Sequence, residues 1–231
     1  DSASIDGPTE TIILENEYHG GGVAQGWNTD DGYWEYELPF TFHFYGQDYT
    51  TIYISSNGYL GFSDQGDMEN YNFSIAQGVG SPIIAAMGND LLTNYNEGDD
   101  IYITDEGDGM VIIRWQATDI ENYNSISEFE IVLHADSTFE ITYGPQTQPI
   151  NDGSAVGVHS GDGYYVPSAY NGYTDFNLLN SSLWEWENTD DSSGGDDEQE
   201  NEEEQQPQHS SRSIQIQKAP TDDGCKPQYA F

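Results

Sequence analysis

Apolar and polar residues alternate with a period of two along most of residues 10–187, and turn residues interrupt the alternation at short intervals. This pattern is typical of strands with one buried face, and no stretch of ten residues has a helical period. We predict thirteen strands, at residues 10–16, 33–37, 41–45, 49–55, 59–62, 83–87, 100–104, 109–116, 127–134, 138–143, 155–159, 164–167 and 183–187. Many short strands without helices predict an all-β fold, a β-sandwich of jelly-roll-like type.

Two segments interrupt this pattern. Residues 68–76 are predicted to form a loop excursion with the option of a short helix, and residues 90–94 a turn of 3₁₀ helix. Elsewhere the connections are tight turns, because pairs such as Asn57-Gly58 suit backbone conformations with positive φ. Apolar material for a core is present, since the chain contains 17 Tyr, 9 Phe and 5 Trp and aromatic side chains bury large areas.

The charge of the chain excludes several classes of function. It has 4 Lys and Arg against 42 Asp and Glu, a formal net charge of −38. Nucleic acids and anionic membrane surfaces both require basic patches, so neither is an expected partner. No apolar run reaches the roughly 18 residues of a membrane span, so we expect no direct membrane insertion. Self-repulsion of this size requires screening or bound cations, and halophilic, marine and calcium-rich surroundings all remain open.

Composition divides the chain into three parts. Residues 1–188 are predicted to form the sandwich domain, residues 189–210 an acidic, low-complexity linker of disordered type, and residues 211–231 a C-terminal tail with a short strand. The tail restores alternation, with two isoleucines on one face of the strand. The predicted docking strand consists of Ser213, Ile214, Gln215, Ile216 and Gln217.

This tail has three possible destinations. It adds as a strand to the edge of a neighbouring sandwich, folds back on its own domain, or stays unattached. The single cysteine, Cys225, lies nearby. It is a candidate for an intermolecular crosslink, with a buried thiol and an unpaired thiol as the alternatives.

Catalytic motifs are lacking. The five histidines form no His-Glu-x-x-His pair, and the sequence contains no Gly-x-Ser-x-Gly elbow and no cysteine–histidine partnership. Neighbouring carboxylates carry little information in so acidic a chain. We therefore expect no enzymatic activity.

Calcium is the favoured cofactor, because hard cations take oxygen ligands from loops rich in aspartate and asparagine. Four loops have this composition, at residues 28–31, 64–70, 94–100 and 105–108. None has EF-hand spacing, and solvated turns are the alternative interpretation. The predicted ligands are Asp64, Asp67, Asn70, Asn89, Asp90, Asp99 and Asp100.

Two further expectations concern export. Asn72 and Asn180 lie in Asn-x-Ser/Thr sequons and are candidate glycosylation sites in a host that has the machinery. The first residues contain no basic region followed by an apolar one, and we expect a signal peptide to have been removed already.

The run at residues 38–62, with tight turns at Tyr45-Gly46 and Asn57-Gly58, resembles the opening of nidogen-like extracellular β domains. The resemblance covers about residues 33–180 and continues in order through segments 82–86, 89–91, 101–102, 111–115, 129–133, 139–144 and 155–158. Such domains occur in animal basement-membrane and cell-surface proteins and in bacterial and archaeal secreted proteins. The resemblance implies a secreted binding or structural module without chemistry of its own.

Together these observations predict an extracellular, non-catalytic structural or adhesive protein. We expect a subunit of a filament or cell-surface layer, a homo-polymer assembled by strand addition through the tail, with other cell-surface proteins or glycans as further partners. The alternative is a monomeric calcium- or glycan-binding adhesion module of a larger surface protein.

Overall fold

The computed structural model describes residues 7–105, 107, 109–177 and 179–186, and within them it contains fourteen strands and no helix. The strands are β1 (Thr9–Ile12), β2 (Val23–Ala24), β3 (Tyr33–Phe44), β4 (Gln47–Ser55), β5 (Tyr59–Gly61), β6 (Ile83–Gly88), β7 (Leu91–Leu92), β8 (Asp100–Asp105), β9 (Met110–Asp119), β10 (Asn122–His134), β11 (Phe139–Tyr143), β12 (Ala155–His159), β13 (Tyr165–Pro167) and β14 (Ser182–Glu185). The prediction of an all-β fold is confirmed.

The strands form two antiparallel sheets. Sheet A has the order β1-β14-β11-β10-β9-β8-β2, with β7 also paired to β9, and sheet B has the order β13-β12-β6-β5-β4-β3. Aromatic and aliphatic side chains from both sheets fill the space between them. Trp115 on β9 joins the two layers, because its Nε1 donates a hydrogen bond to the carbonyl oxygen of Ser55 on β4, 2.8 Å away. Its ring stacks on Phe129 of the neighbouring strand β10.

A second apolar cluster lies on the other face of sheet B. Residues 62–81 cross that face without forming a helix, so the optional helix at residues 68–76 is not formed. Met68, Phe73 and Ile75 from this loop pack on Tyr59 of β5. The loop is therefore fixed by burial of its own side chains.

Several strand boundaries differ from the prediction. The two strands predicted at residues 33–37 and 41–45 form one strand, β3, because a bulge between Glu37 and Phe42 absorbs the irregularity around Pro39. The 3₁₀ turn predicted at residues 90–94 is wrong, since Leu91 and Leu92 pair with β9 as β7. The short strand β2 was not predicted.

The linker at residues 189–210, the docking strand at residues 213–217 and Cys225 lie outside the described residues. Within the part of the chain that is described, there is no helix with the length and apolar character needed to cross a membrane.

Candidate functional sites: an acidic pocket and an open sheet edge

Asn57 connects three segments that the sequence keeps far apart. Its Nδ2 donates hydrogen bonds to Asp31 Oδ1 at 2.9 Å and to the carbonyl oxygen of Glu69 at 3.2 Å. Its Oδ1 accepts a hydrogen bond from the backbone nitrogen of Leu91 at 3.1 Å. This fully buried amide therefore places the loop at residues 28–31 beside the start of β7.

Carboxylates converge where these segments meet. Oxygens of Asp30, Asp31 and Asp90 lie within 4.8 Å of one another. Asp90 also lines a pocket of about 170 Å³, whose wall includes Asp119 and Glu121 from the β9–β10 turn. We call these five residues the acidic site.

Burial and neighbouring charges disfavour ionisation of two carboxyl groups at the acidic site. Burial, and then the charges of Asp30, Asp31, Asp119 and Glu121, raise the pKa of Asp90 to about 6. Burial and the charge of Asp31 also raise the pKa of Asp30. Asp90 Oδ1 is shielded from solvent and has no hydrogen-bond partner among the described residues. Such a set of oxygens has the chemistry of a hard-cation site.

The second site starts from a segment that crosses the outer face of sheet A, residues 16–27, which we call the strap. Three buried charged residues of sheet A hold it in place. Glu130 accepts hydrogen bonds from the backbone nitrogens of His19 and Gly20, and Arg114 Nε donates to the carbonyl oxygen of Gly21. Asp100 accepts from the backbone nitrogens of Gly26 and Trp27.

The strap delivers two apolar residues to the margin of the sandwich, next to the edge strand β3. The Trp27 ring stacks on Trp34 of β3, with ring centroids 5.2 Å apart and planes 1° from parallel. Val23, on β2, is 70% exposed. We call the stretch of β3 at residues 33–37, together with these apolar neighbours, the open edge.

A comparison with protein families matches residues 14–190 to the family described as NIDO related. The chain belongs to this family. The match contains the whole region of nidogen-like resemblance and confirms it. No curated protein and no solved structure matches the chain. NIDO-related domains are extracellular domains of the adhesion type.

The NIDO-related domain brings one predicted ligand, Asp90, into the acidic site and places Asn89 at its rim, where Asn89 Oδ1 accepts a hydrogen bond from the Asp90 backbone nitrogen. Asp64 and Asp67 are exposed on the loop at residues 62–81, and Asn70 is half-buried there. The backbone carbonyl oxygens of Asp67 and Asn70 accept hydrogen bonds from the Tyr59 hydroxyl.

The carboxylates of the remaining two predicted ligands, Asp99 and Asp100, already accept hydrogen bonds from protein donors. Asp99 Oδ2 accepts hydrogen bonds from the Asn96 backbone nitrogen and from Thr118 Oγ1, both at 2.7 Å. Asp100 anchors the strap. Calcium binding at these seven residues stays a prediction.

Four members of the acidic site were not predicted as ligands. Asp30 and Asp31 lie in a predicted acidic loop, but no sequence spacing connects them to Asp90, because Asn57 makes that connection. Asp119 and Glu121 lie at the tight turn between β9 and β10. The sequence marks this turn as the break between two long alternating runs.

The two sequons differ in accessibility. Asn72 is exposed beside the acidic pocket, whereas Asn180 is half-buried. Glycosylation at either position stays a prediction, and Asn72 is the more accessible of the two.

The raised pKa of Asp90 predicts a pH-dependent effect of Asp90→Asn. The folded state holds the Asp90 proton up to about pH 6, against 3.8 for the ordinary group, so between these values rising pH lowers the free energy of unfolding. Without divalent cations, Asp90→Asn is expected to stabilise the domain at pH 8 by about 1 kcal/mol, after discounting for partial exposure. The gain should vanish near pH 3.5. Urea denaturation of both proteins in chelator checks this, and equal stability at pH 8 would contradict it.

Proposed function

We propose that this NIDO-related domain is a secreted, non-catalytic structural or adhesive protein. It forms a subunit of an extracellular filament or cell-surface layer, in which residues 213–217 of one copy add as a strand to a neighbouring copy. The single observation that carries this proposal is the segregation of positive charge between the folded domain and the tail.

The domain has an acidic surface and almost no cations to balance it. Arg114 is the single Lys or Arg among residues 1–211, and it is 7% exposed. Its guanidinium lies 3.7 Å from the centroid of the Tyr102 ring, and its Nε is bonded to the strap. Arg114 is therefore committed to holding the domain together.

The other three basic residues, Arg212, Lys218 and Lys226, all belong to the tail. Two of them flank the predicted docking strand. Opposite charge steers such a segment toward an acidic domain and raises the rate of encounter. An alternating strand then gains main-chain hydrogen bonds and buries alternate side chains.

The intervening chain allows a connection between copies. Residues 187–211 number 25 and span up to about 80 Å when extended. They are rich in Asp and Glu, and so is the domain. This length is enough for the tail of one copy to reach a neighbouring copy.

Deleting residues 209–231 tests the proposal. The full chain is expected to form polymers visible by electron microscopy and sedimentation, and the deleted chain a folded monomer. Cys225→Ser is the control, because it should polymerise like the full chain if strand addition rather than a disulfide joins the copies. Polymers that persist unchanged after the deletion would refute assembly through the tail.

The acidic site favours a second candidate function, a monomeric calcium- or glycan-binding adhesion module. The buried, unpartnered Oδ1 of Asp90 is the observation that supports it. Glycan-array binding by the monomer lacking residues 209–231 would favour adhesion alone.

Calcium binding predicts a change in stability. With a dissociation constant of about 10⁻⁴ to 10⁻³ M, ~10 mM calcium adds about 1.5 to 3 kcal/mol to the free energy of unfolding. Asp90→Asn should lose this gain, and Glu185→Gln, an exposed acid outside every predicted calcium loop, should keep it. Thermal melting with calcium and with chelator measures both. If neither calcium nor chelator changes the melting temperature of the unsubstituted protein, the domain does not bind calcium at this strength.

A further inference from the structure

We infer that the open edge is the acceptor site for the tail, and that its occupant is the segment at residues 212–218 of a second copy. This inference rests on the proposed function, because it names the surface that receives the strand. Three features of the open edge support it: unpaired backbone groups, an apolar side chain left uncovered, and acidic side chains that select the partner.

The backbone of β3 has hydrogen-bonding groups directed away from the sheet. The Ser56 backbone nitrogen donates to the carbonyl oxygen of Gly32 at 2.8 Å, and these residues are opposite one another in the β3–β4 register. Bonded positions alternate along an antiparallel pair, so Trp34 and Tyr36 bond to β4. The N–H and C=O groups of residues 33, 35 and 37 then point to the outer side, where no described strand lies.

The available edge matches the docking strand in length. The regular register begins at Tyr33 and breaks after Glu37, where the bulge begins, and Pro39 follows. The edge is therefore five residues long, as is the predicted strand at residues 213–217.

Val23 shows that the sandwich lacks one strand at this margin. It lies opposite Ile103 on β8, and directly opposed residues of an antiparallel pair share a face. Ile103 is 4% exposed in the core, so Val23 also points to the inner side of sheet A. It is nevertheless 70% exposed, because sheet B ends at β3 and nothing described faces β2.

A strand added beside β3 would face β2. The Tyr36 hydroxyl of β3 donates to Asp105 Oδ2 of β8 at 3.4 Å, which places β3 opposite β8. Sheet A continues to β2, one strand farther. The added strand therefore occupies the missing position opposite Val23 and beside the half-buried Trp34.

The side chains of residues 212–218 fit this position. Ile214 and Ile216 lie on one face of a strand and would cover Val23 and the stacked pair Trp27–Trp34. The basic residues at the two ends of the segment meet an acidic margin, to which the exposed carboxylate of Asp105 belongs. An apolar pair between two cations thus complements an apolar patch with an exposed carboxylate at its border.

Acidic side chains on the edge select against the wrong partner. Glu35 and Glu37 are exposed on β3. Two such edges brought together would place like charges across the new ladder, which disfavours pairing of β3 with β3. A strand flanked by Arg212 and Lys218 meets no such repulsion. The open edge therefore accepts the tail and rejects another open edge.

Two substitutions test the acceptor in the full chain. Val23→Asp places a charge in the apolar patch at a side chain that is already exposed, and it is expected to weaken polymerisation at least tenfold. Leu14→Asp is its matched control, since Leu14 is 62% exposed and lies outside the open edge. Glu35→Pro removes an outward N–H that pairing with β4 does not use, and Glu35→Ala keeps it. The proline variant should polymerise poorly and the alanine variant normally.

A mixing experiment identifies the occupant. The chain lacking residues 209–231 keeps the acceptor, and the Val23→Asp chain keeps the tail. At a protein concentration too low for the weakened Val23→Asp chain to polymerise, each alone should be monomeric, and a mixture should sediment as a one-to-one dimer. Monomers in the mixture, with cross-linking of the tail to β3 of its own chain, would overturn binding to a second copy.

The outcomes separate this inference from the proposed function. Normal polymers from both Val23→Asp and Glu35→Pro, with none from the chain lacking the tail, would refute the open edge as acceptor and leave assembly through the tail intact. Polymers from the chain lacking the tail would refute both.

Discussion

Gly58→Ala is expected to lower the free energy of unfolding by more than about 4 kcal/mol, enough to unfold many domains of this size. Gly58 has φ +79°, and an added Cβ would lie 2.2 Å from the carbonyl oxygen of Met87 and 2.8 Å from its carbonyl carbon. These are backbone atoms of β6, whose Ala86 and Met87 nitrogens donate to the Gly58 carbonyl oxygen. The backbone at Gly58 and the backbone at Met87 cannot move apart without breaking these hydrogen bonds.

Gly46→Ala is the matched control for this substitution. Gly46 has a similar φ of +77°, but an added Cβ would meet nothing within 4 Å. Its cost is therefore the left-handed conformation alone, about 1 to 2 kcal/mol. Urea denaturation of both variants separates backbone conformation from close approach. Equal losses at the two positions would show that the contact between Gly58 and Met87 is not tight.

Glu130→Ala is expected to lower the free energy of unfolding by about 3 to 5 kcal/mol, because it removes the buried acceptor of one buried hydroxyl donor and two part-buried backbone donors. Glu130 is fully buried. Its oxygens accept from the His19 backbone nitrogen at 3.0 Å, the Gly20 backbone nitrogen at 2.7 Å and Thr142 Oγ1 at 3.2 Å. Glu130→Gln keeps one acceptor oxygen and should lose less.

The same substitution should weaken polymerisation, since the strap that Glu130 holds carries Val23 and Trp27 to the open edge. Glu185→Ala, an exposed acid on a strand, is the control and should change stability by less than about 0.5 kcal/mol. Chemical denaturation and sedimentation give the two readouts. A Glu130→Ala protein as stable as the unsubstituted one would contradict the role of Glu130 as an anchor.

The fold was largely predictable because its determinants are local. Alternation along β4, β9 and β10 marks strands with one face in the core, and Asn57-Gly58 marks a position that requires positive φ. The two-residue strands β2 and β7 carry too few residues to display a period. They exist because Val23 and Leu91 meet the edges of longer strands.

The candidate sites were less predictable, since distant contacts create them. Asp90 was predicted as a ligand from composition, but its neighbours Asp30 and Asp31 reach it through the side chain of Asn57. Glu130 alternates with core residues and gave no sign of being buried, because the strap covers it. The open edge follows from the order of strands in the sheets, and one sequence does not specify that order.

The charge balance links the stability of the domain to the proposed assembly. Arg114 and Glu130 both bind the strap. The strap in turn forms one side of the open edge. The cations that remain are in the tail. In the proposed assembly, completion of the sandwich by a neighbour's strand would therefore use the charges that the domain itself does not use.

Cryo-electron microscopy of polymers of the full chain tests this account most directly. The account predicts a strand beside residues 33–37 of each copy, belonging to the next copy, with Ile214 and Ile216 directed at Val23 and Trp34. Polymers in which the outer side of β3 is bare, or a preparation that contains only monomers, would contradict it.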